Sequence, residues 1–300
     1  DLHRVDRRQR QMCIRDRDII FVYGYFGLPE MGGVGCGYAT TIVSTLMFVA
    51  MLGIVLFSKS YKKNKLFSRF DGPSLNTSME VFKLGTPIGF GIFVELSMYS
   101  GAAIILAPLG ENVVSGHAVA LNIASIVFML PLAIGLAAST RVGNLLGEKR
   151  YIDARYSSKV SVCLCFIGAL FNMTLLVTLG DKLISLYTTD LLVFSVASHL
   201  IVFAAIFQIP DGIGMGSLGA LRGYKDTFMT MVFIIIAYWV FAIPFGYYLT
   251  YYGINQPMGE SGMWISMIVG LTIFATLISR RLNKISGLHA VIRKENIPQF

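Results

Sequence analysis

Seven stretches of this 300-residue chain run the length of a membrane helix with at most one charged residue inside. Residues 31–58, 112–140, 160–180, 227–259 and 261–279 hold no Asp, Glu, Lys or Arg. Residues 84–110 are interrupted only by Glu95, and residues 191–221 only by Asp211. A helix rises 1.5 Å per residue and needs about 20 apolar residues to cross the hydrocarbon of a bilayer. The stretches therefore read as seven helical spans. A membrane β-barrel would need segments of about ten residues with alternating polarity, and the chain has none. Composition agrees: 14% of residues are charged, against about 25% in a soluble domain. A cytosolic enzyme, a secreted disulfide scaffold and a disordered chain are excluded.

The charges that remain are sorted by loop. Lys59, Lys62, Lys63, Lys65 and Arg69 fall in one loop, with Lys83 at the next span's start. Arg141, Lys149, Arg150, Arg155 and Lys159 fall two spans later, Arg222 and Lys225 two spans after that, and Arg280, Arg281, Lys284, Arg293 and Lys294 in the tail. The alternate loops hold only Lys182. Lys and Arg favour cytoplasmic loops, so residue 31 starts outside and the C-terminus lies inside. The net charge of +8 marks a membrane face rather than a nucleic-acid surface. Residues 1–17 break the pattern, being dense in Arg and Asp; they read as a non-native or disordered leader. Residues 18–26 are apolar but too short to span, and read as the end of a truncated helix.

Beyond residue 18 every acidic residue but two lies in a loop or at a span end. The exceptions are Glu95 and Asp211. A charged Asp at mid-bilayer costs about 2.5–3.5 kcal/mol even on insertion scales, and such acids face a bundle interior where they bind or relay cations. Both sit in sequence that favours backbone distortion. Gly85, Pro87, Gly89 and Gly91 precede Glu95; Pro210 precedes Asp211, and Gly212, Gly214, Gly216 and Gly219 follow it. Pro87 and Pro210 are expected to bend their helices, and the four-residue spacing of Gly212 and Gly216 to let helices approach closely.

Other candidates are weaker. His117 and His199 are isolated and read as interface residues rather than metal ligands. Cys163 and Cys165 read as small packing residues in an apolar run; with Cys13 and Cys36 they make no disulfide or metal pattern. The glycines at 32, 33, 35 and 37 lack the strand, Lys and Ser/Thr of a phosphate loop. No catalytic grouping is present, so the chain reads as a non-enzyme without a cofactor.

Several strings are specific enough to carry a resemblance: GTPIGFGIFVE (85–95), GHAVALN (116–122), FMLPLAIGLAAS (128–139), RVGNLLG (141–147), LYTTD (186–190), LGALRGYKDT (218–227) and YWVFAIPFGYYL (238–249). In order along the chain they resemble the multidrug and toxic compound extrusion (MATE) family, in its NorM-like branch. The resemblance implies an all-α polytopic membrane protein: a six-helix carboxy-terminal lobe over residues 79–285, preceded by the last one and a half helices of an amino-terminal lobe (18–26 and 31–58), with 59–78 as the cytoplasmic inter-lobe loop and 286–300 as a cytoplasmic tail. Its lobe helices are expected over 79–108, 112–140, 156–180, 191–221, 227–251 and 261–279.

The resemblance also implies a function: antiport of Na⁺ or H⁺ against small organic cations, in a bacterial inner membrane, by a monomer. Glu95 and Asp211 match the family's coupling-cation site. Phe128 and Phe207 match its accompanying aromatics, with a ring face where relatives carry a tyrosine hydroxyl, and Asn122 is a candidate polar residue of the cavity. Ala118 and Gly214 stand where relatives often have Gln. A lipid-linked sugar flippase of the same superfold would want a more cationic cavity. A seven-span receptor would want a retinal lysine or an outer disulfide, and residues 261–279 have no Lys.

Overall fold

The computed structural model describes residues 33–57, 74–253 and 255–295. The expected leader (1–17), truncated helix (18–26) and most of the 59–78 loop lie outside the described residues. The chain divides into two compact units, residues 1–78 and 79–300. In the first, the charge-free sequence forms one helix, α1 (Gly33–Phe57). The hydroxyls of Thr41 and Thr45 turn back onto carbonyls one turn earlier, which hides polar groups on an apolar rod.

The second unit is built from α2 (Leu75–Leu106, its first turn lying in the first unit), α3 (Glu111–Gly147), α4 (Tyr151–Tyr187), α5 (Leu191–Gly223), α6 (Thr227–Tyr251) and α7 (Glu260–Glu295). All six are long and apolar enough to cross a membrane. The helices outrun the charge-free stretches: Arg155 and Lys159 lie in the first turns of α4, and Arg280, Arg281 and Lys284 lie within α7. Charge keeps a residue out of hydrocarbon but does not end a helix. Short connections make successive helices antiparallel, so the basic residues of the α3–α4 turn, the α5–α6 turn and the end of α7 gather at one end of the lobe, and Lys182 lies toward the other.

Helix α5 is the centre of the lobe, packed against α3, α4 and α7. Its glycines allow this. A Cβ on Gly216 would fall 2.9 Å from the Val162 backbone of α4, and one on Gly219 only 2.2 Å from the Gly135 carbonyl of α3. Here the expected close approach is found. Cys165 is buried in this packing, whereas Cys163 lies exposed on the outer face of α4. The packing role read for both thiols holds for Cys165 only, because two residues along a helix face different sides.

The α3–α4 and α5–α6 turns are the same device used twice. After α3, the N–H of Arg150 bonds the Leu145 carbonyl and that of Lys149 bonds Leu146. After α5, Asp226 bonds Leu221 and Lys225 bonds Arg222. This is the Schellman closure of a helix end. Lys149 and Lys225 occupy the left-handed position, at φ 59° and 61°.

Candidate functional site

Glu95 lies near the middle of α2 and Asp211 near the middle of α5. Asp211 is 7% exposed and Glu95 is partly buried. Neither carboxylate hydrogen-bonds a described residue. Each lies in the other's field, and Arg222, in the last turn of α5, acts on Glu95 as an opposite charge. The Nε of Arg222 is buried without a hydrogen-bond partner among the described residues. The charge pattern places Arg222 in a loop; α5 instead continues two residues past its apolar stretch, to Gly223, and takes Arg222 into its last turn.

Two phenols share the field of the carboxylates. Tyr99 follows Glu95 by one turn on the same face of α2, and Tyr238 is 2% exposed on α6. Their hydroxyls bond no described residue. Tyr238 is aimed by a local change of helix type: residues Ile236–Ala242 form a π-helical segment inside α6. Pro244 follows two residues after its end, and it can supply no N–H and crowds the carbonyl four residues back. The π turn absorbs that misfit, as such turns often do at functional sites. By contrast, α2 and α5 run without interruption through Pro87 and Pro210.

Aromatic rings close the site from the side of α7. Phe207, one turn before Asp211, is 3% exposed; its ring centroid lies 6.4 Å from Tyr99 and 6.1 Å from Trp264. Phe274 lies 5.7 Å from Tyr238. A Cβ on Gly214 would meet Phe274 at 3.1 Å, so the room that a larger side chain would take at this position is filled by that ring. Phe128 is partly buried against the core. Asn122 lies on the exposed side of α3, and its Nδ2 donates to the Ala118 carbonyl of its own helix; no contact joins it to the carboxylates.

Some polar residues escaped the charge-based reading because they carry no charge. Asn172 and Gln208, both nearly fully buried, tie three helices together: Asn172 donates to the Val127 carbonyl at 2.8 Å, and Gln208 sits next to Phe207 on the same network. Helix α2 itself is held to α6 mainly by side chains. Trp239 donates to Ser97 at 2.8 Å, and Tyr251 to the Ile105 carbonyl at 2.7 Å. His199 is exposed, its Nδ1 3.9 Å from Glu260. Among the described residues no cluster of three His, Cys, Asp or Glu is present. Two carboxylates with neutral oxygens nearby suit a hard cation or a proton rather than a transition metal.

The MatE family model matches residues 87–248, from Pro87 to Tyr248. The chain belongs to the MatE family. It is 43% identical over 265 residues to the multidrug resistance protein NorM of Vibrio vulnificus, covering 88% of this chain and 58% of that protein. It is 39% identical to the multidrug resistance protein PmpM of Pseudomonas aeruginosa, over 87% of this chain and 55% of the relative. The MatE chain thus spans a little over half the length of these relatives. Its fold matches that of the eukaryotic MATE transporter AtDTX14 with a TM-score of 0.77 at 22% identity, over 93% of this chain and 60% of that structure. An outward-facing multidrug resistance MATE transporter matches with a TM-score of 0.74 over 90% of this chain. The expected all-α, multi-pass membrane architecture is thereby found among the described residues.

Proposed function

We propose that residues 79–285 form the carboxy-terminal lobe of a multidrug exporter that takes up Na⁺ or H⁺ in exchange for small organic cations. The observation that carries this reading is the pair Glu95 and Asp211: two carboxylates within one another's field, in the middle of two membrane helices, with no hydrogen bond to a described residue. Loading a cation relieves their mutual repulsion. Discharging it restores two negative charges that attract a cationic drug.

In this reading Tyr99 and Tyr238 supply neutral oxygens to the coupling ion. Phe207 supplies only a ring face, which holds an organic cation rather than a small hydrated one. Because α2 meets α6 through side chains and α6 already carries a π turn, these helices are where the lobe yields when the ion enters. Ion and drug must then disfavour each other equally in binding free energy. The protein acts as a monomer in the inner membrane, with the basic end of the lobe and the C-terminus in the cytoplasm.

The test is a chimera in which residues 79–285 replace the matching part of the Vibrio vulnificus relative, expressed in a drug-hypersensitive strain. Ethidium efflux should fall to background with Glu95→Gln or Asp211→Asn while the protein still reaches the membrane. Efflux at the parent level in both variants would reject the coupling site.

A further inference from the structure

Two cavities meet between α4, α5 and α7 at the basic end of the lobe. The larger, about 410 Å³, is walled by Ile209, Pro210 and Ile213 of α5 and by Thr272, Ala275 and Thr276 of α7. It ends at Ser279, Arg280 and Asn283. The smaller, about 140 Å³, shares Ser279 and Asn283 and adds Ser158, Lys159, Ser217 and Ser286. Together they form one crevice with an apolar arm and a polar, cationic head.

The charges at this end are unbalanced around that head. Among the described residues Glu80 pairs with Lys225, Glu148 and Asp153 with Arg150, and Asp226 with Arg281. The acids whose side chains are described at this end are thereby paired. Lys159 and Arg280, both exposed, have no acidic partner among the described residues, and neither has Lys284 one turn on. No acid lines either cavity. The hydroxyls of Ser217 and Ser279 lie 3.0 Å apart; one donates to the other, so one proton remains to donate outward. Asn283 offers its amide as well.

The length of the crevice is also informative. From Thr272 to Asn283 is eleven residues of α7, or about 16 Å at 1.5 Å per residue. Half of a ~30 Å hydrocarbon core is about 15 Å. Arm and head together therefore run about the depth of one leaflet, with the cationic head toward the headgroup level.

We propose that this crevice binds one anionic phospholipid, with an acyl chain along Pro210 and Ile213 and the phosphate between Lys159 and Arg280. Basic pockets between membrane helices recognise anionic headgroups in this way. Net negative charge is required, since a zwitterionic headgroup brings its own cation to a site already rich in them. The chain would lie against Pro210, the residue preceding Asp211, so occupancy stiffens α5 beside the carboxylate. The inference does not depend on the coupling reaction.

Native mass spectrometry of the purified 300-residue chain tests it, with phosphatidylglycerol and phosphatidylcholine titrated separately. Phosphatidylglycerol should be retained at concentrations at least tenfold lower. Each cation near the membrane surface contributes about 1 kcal/mol, so Lys159→Gln and Arg280→Gln should each weaken retention about fivefold and the pair about twenty-five-fold. Lys159→Arg should restore it, and Lys182→Gln, toward the other end, should change nothing. Thr276→Trp, which obstructs the arm and leaves every charge in place, should also reduce retention; it carries the test if the double variant misfolds, as judged by helical circular dichroism. Equal retention of both lipids, a crevice closed by another part of the chain that retains neither, or Thr276→Trp without effect would overturn the proposal.

Discussion

The indole of Trp264 donates its hydrogen bond to Nδ1 of His117 across 3.1 Å, joining α7 to α3 in the interior of the lobe. Both side chains are essentially inaccessible, at 0% and 1%, and their rings meet edge to face. With Nδ1 accepting, the neutral imidazole carries its proton on Nε2, which has no partner among the described residues. One hydrogen bond is made and one buried donor is left over. Trp264→Phe should therefore cost more than a lost indole contact, because a second buried nitrogen of His117 then loses its partner, at about 1–3 kcal/mol. Adding His117→Leu to Trp264→Phe should recover part of that loss. Thermal unfolding of the purified chain in detergent reads both changes; additive penalties would show that the bond is not what couples them.

Glycines of the same protein should respond oppositely to one methyl group. Gly219→Ala places a Cβ against the Gly135 carbonyl at 2.2 Å, which backbone cannot vacate cheaply. A loss of about 3 kcal/mol or more in unfolding free energy is expected. Gly85→Ala meets nothing within 4 Å and lies inside α2. It should stabilise by about 0.5–1 kcal/mol through the unfolded chain's lost freedom. Equal effects at the two positions would mean that the α3–α5 contact is looser than described.

The left-handed lysines allow a gain at a turn. Lys149 sits at φ 59° in a closure that normally takes glycine, and its neighbour Arg150, not Lys149, makes the ion pairs with Glu148 and Asp153. Lys149→Gly should raise stability by up to about 1 kcal/mol. Lys225→Gly removes a similar strain but also the 3.0 Å pair with Glu80, and an exposed pair contributes at most about 1 kcal/mol, so its net gain should be smaller. Unfolding midpoints of the two variants against the parent decide this, and a loss at Lys149 would contradict it.

The helices and the carboxylate pair could be read from the sequence because bilayer physics writes them plainly. Apolar runs of fixed length need no tertiary knowledge, and Glu95 and Asp211 stand out against a charge-free background. The strings that carried the resemblance include RVGNLLG and LGALRGYKDT, and the structure shows a physical basis for their likeness: each ends a helix in the same Schellman turn. What charge counting missed was neutral or shape-dependent. Asn172 and Gln208 look like scattered amides until three helices meet on them. Trp264 looks like an interfacial aromatic until His117 is found beside it. The π segment in α6 follows from Pro244, but only register in space shows that it turns Tyr238 toward the carboxylates. Arg222 was misplaced because a helix can continue past the edge of its apolar stretch.

That register gives the last test. If Tyr238 contributes its hydroxyl to the coupling ion, Tyr238→Phe removes one oxygen and nothing else from a side chain already 98% hidden, its exposure being 2%. A neutral hydrogen-bonding group is worth about 0.5–1.5 kcal/mol, so Na⁺ or H⁺ affinity should fall roughly two- to twelvefold with stability little changed. Tyr251→Phe is the control, because its hydroxyl is spent on the Ile105 carbonyl: it should lower stability and leave ion affinity alone. Pro244→Ala approaches the same oxygen through the backbone. Restoring the missing N–H removes the reason for the π turn, and one residue of regular helix is a rotation of 100°. Tyr238 would then leave the field of Glu95 and Asp211, so Pro244→Ala should weaken the ion at least as much as Tyr238→Phe while making α6 more stable, not less. Titration of ²²Na⁺ binding on the three purified variants separates the cases. An unchanged affinity in Pro244→Ala, with Tyr238→Phe weakened, would show that the π turn is held by the packing of α6 on α7 and not by proline.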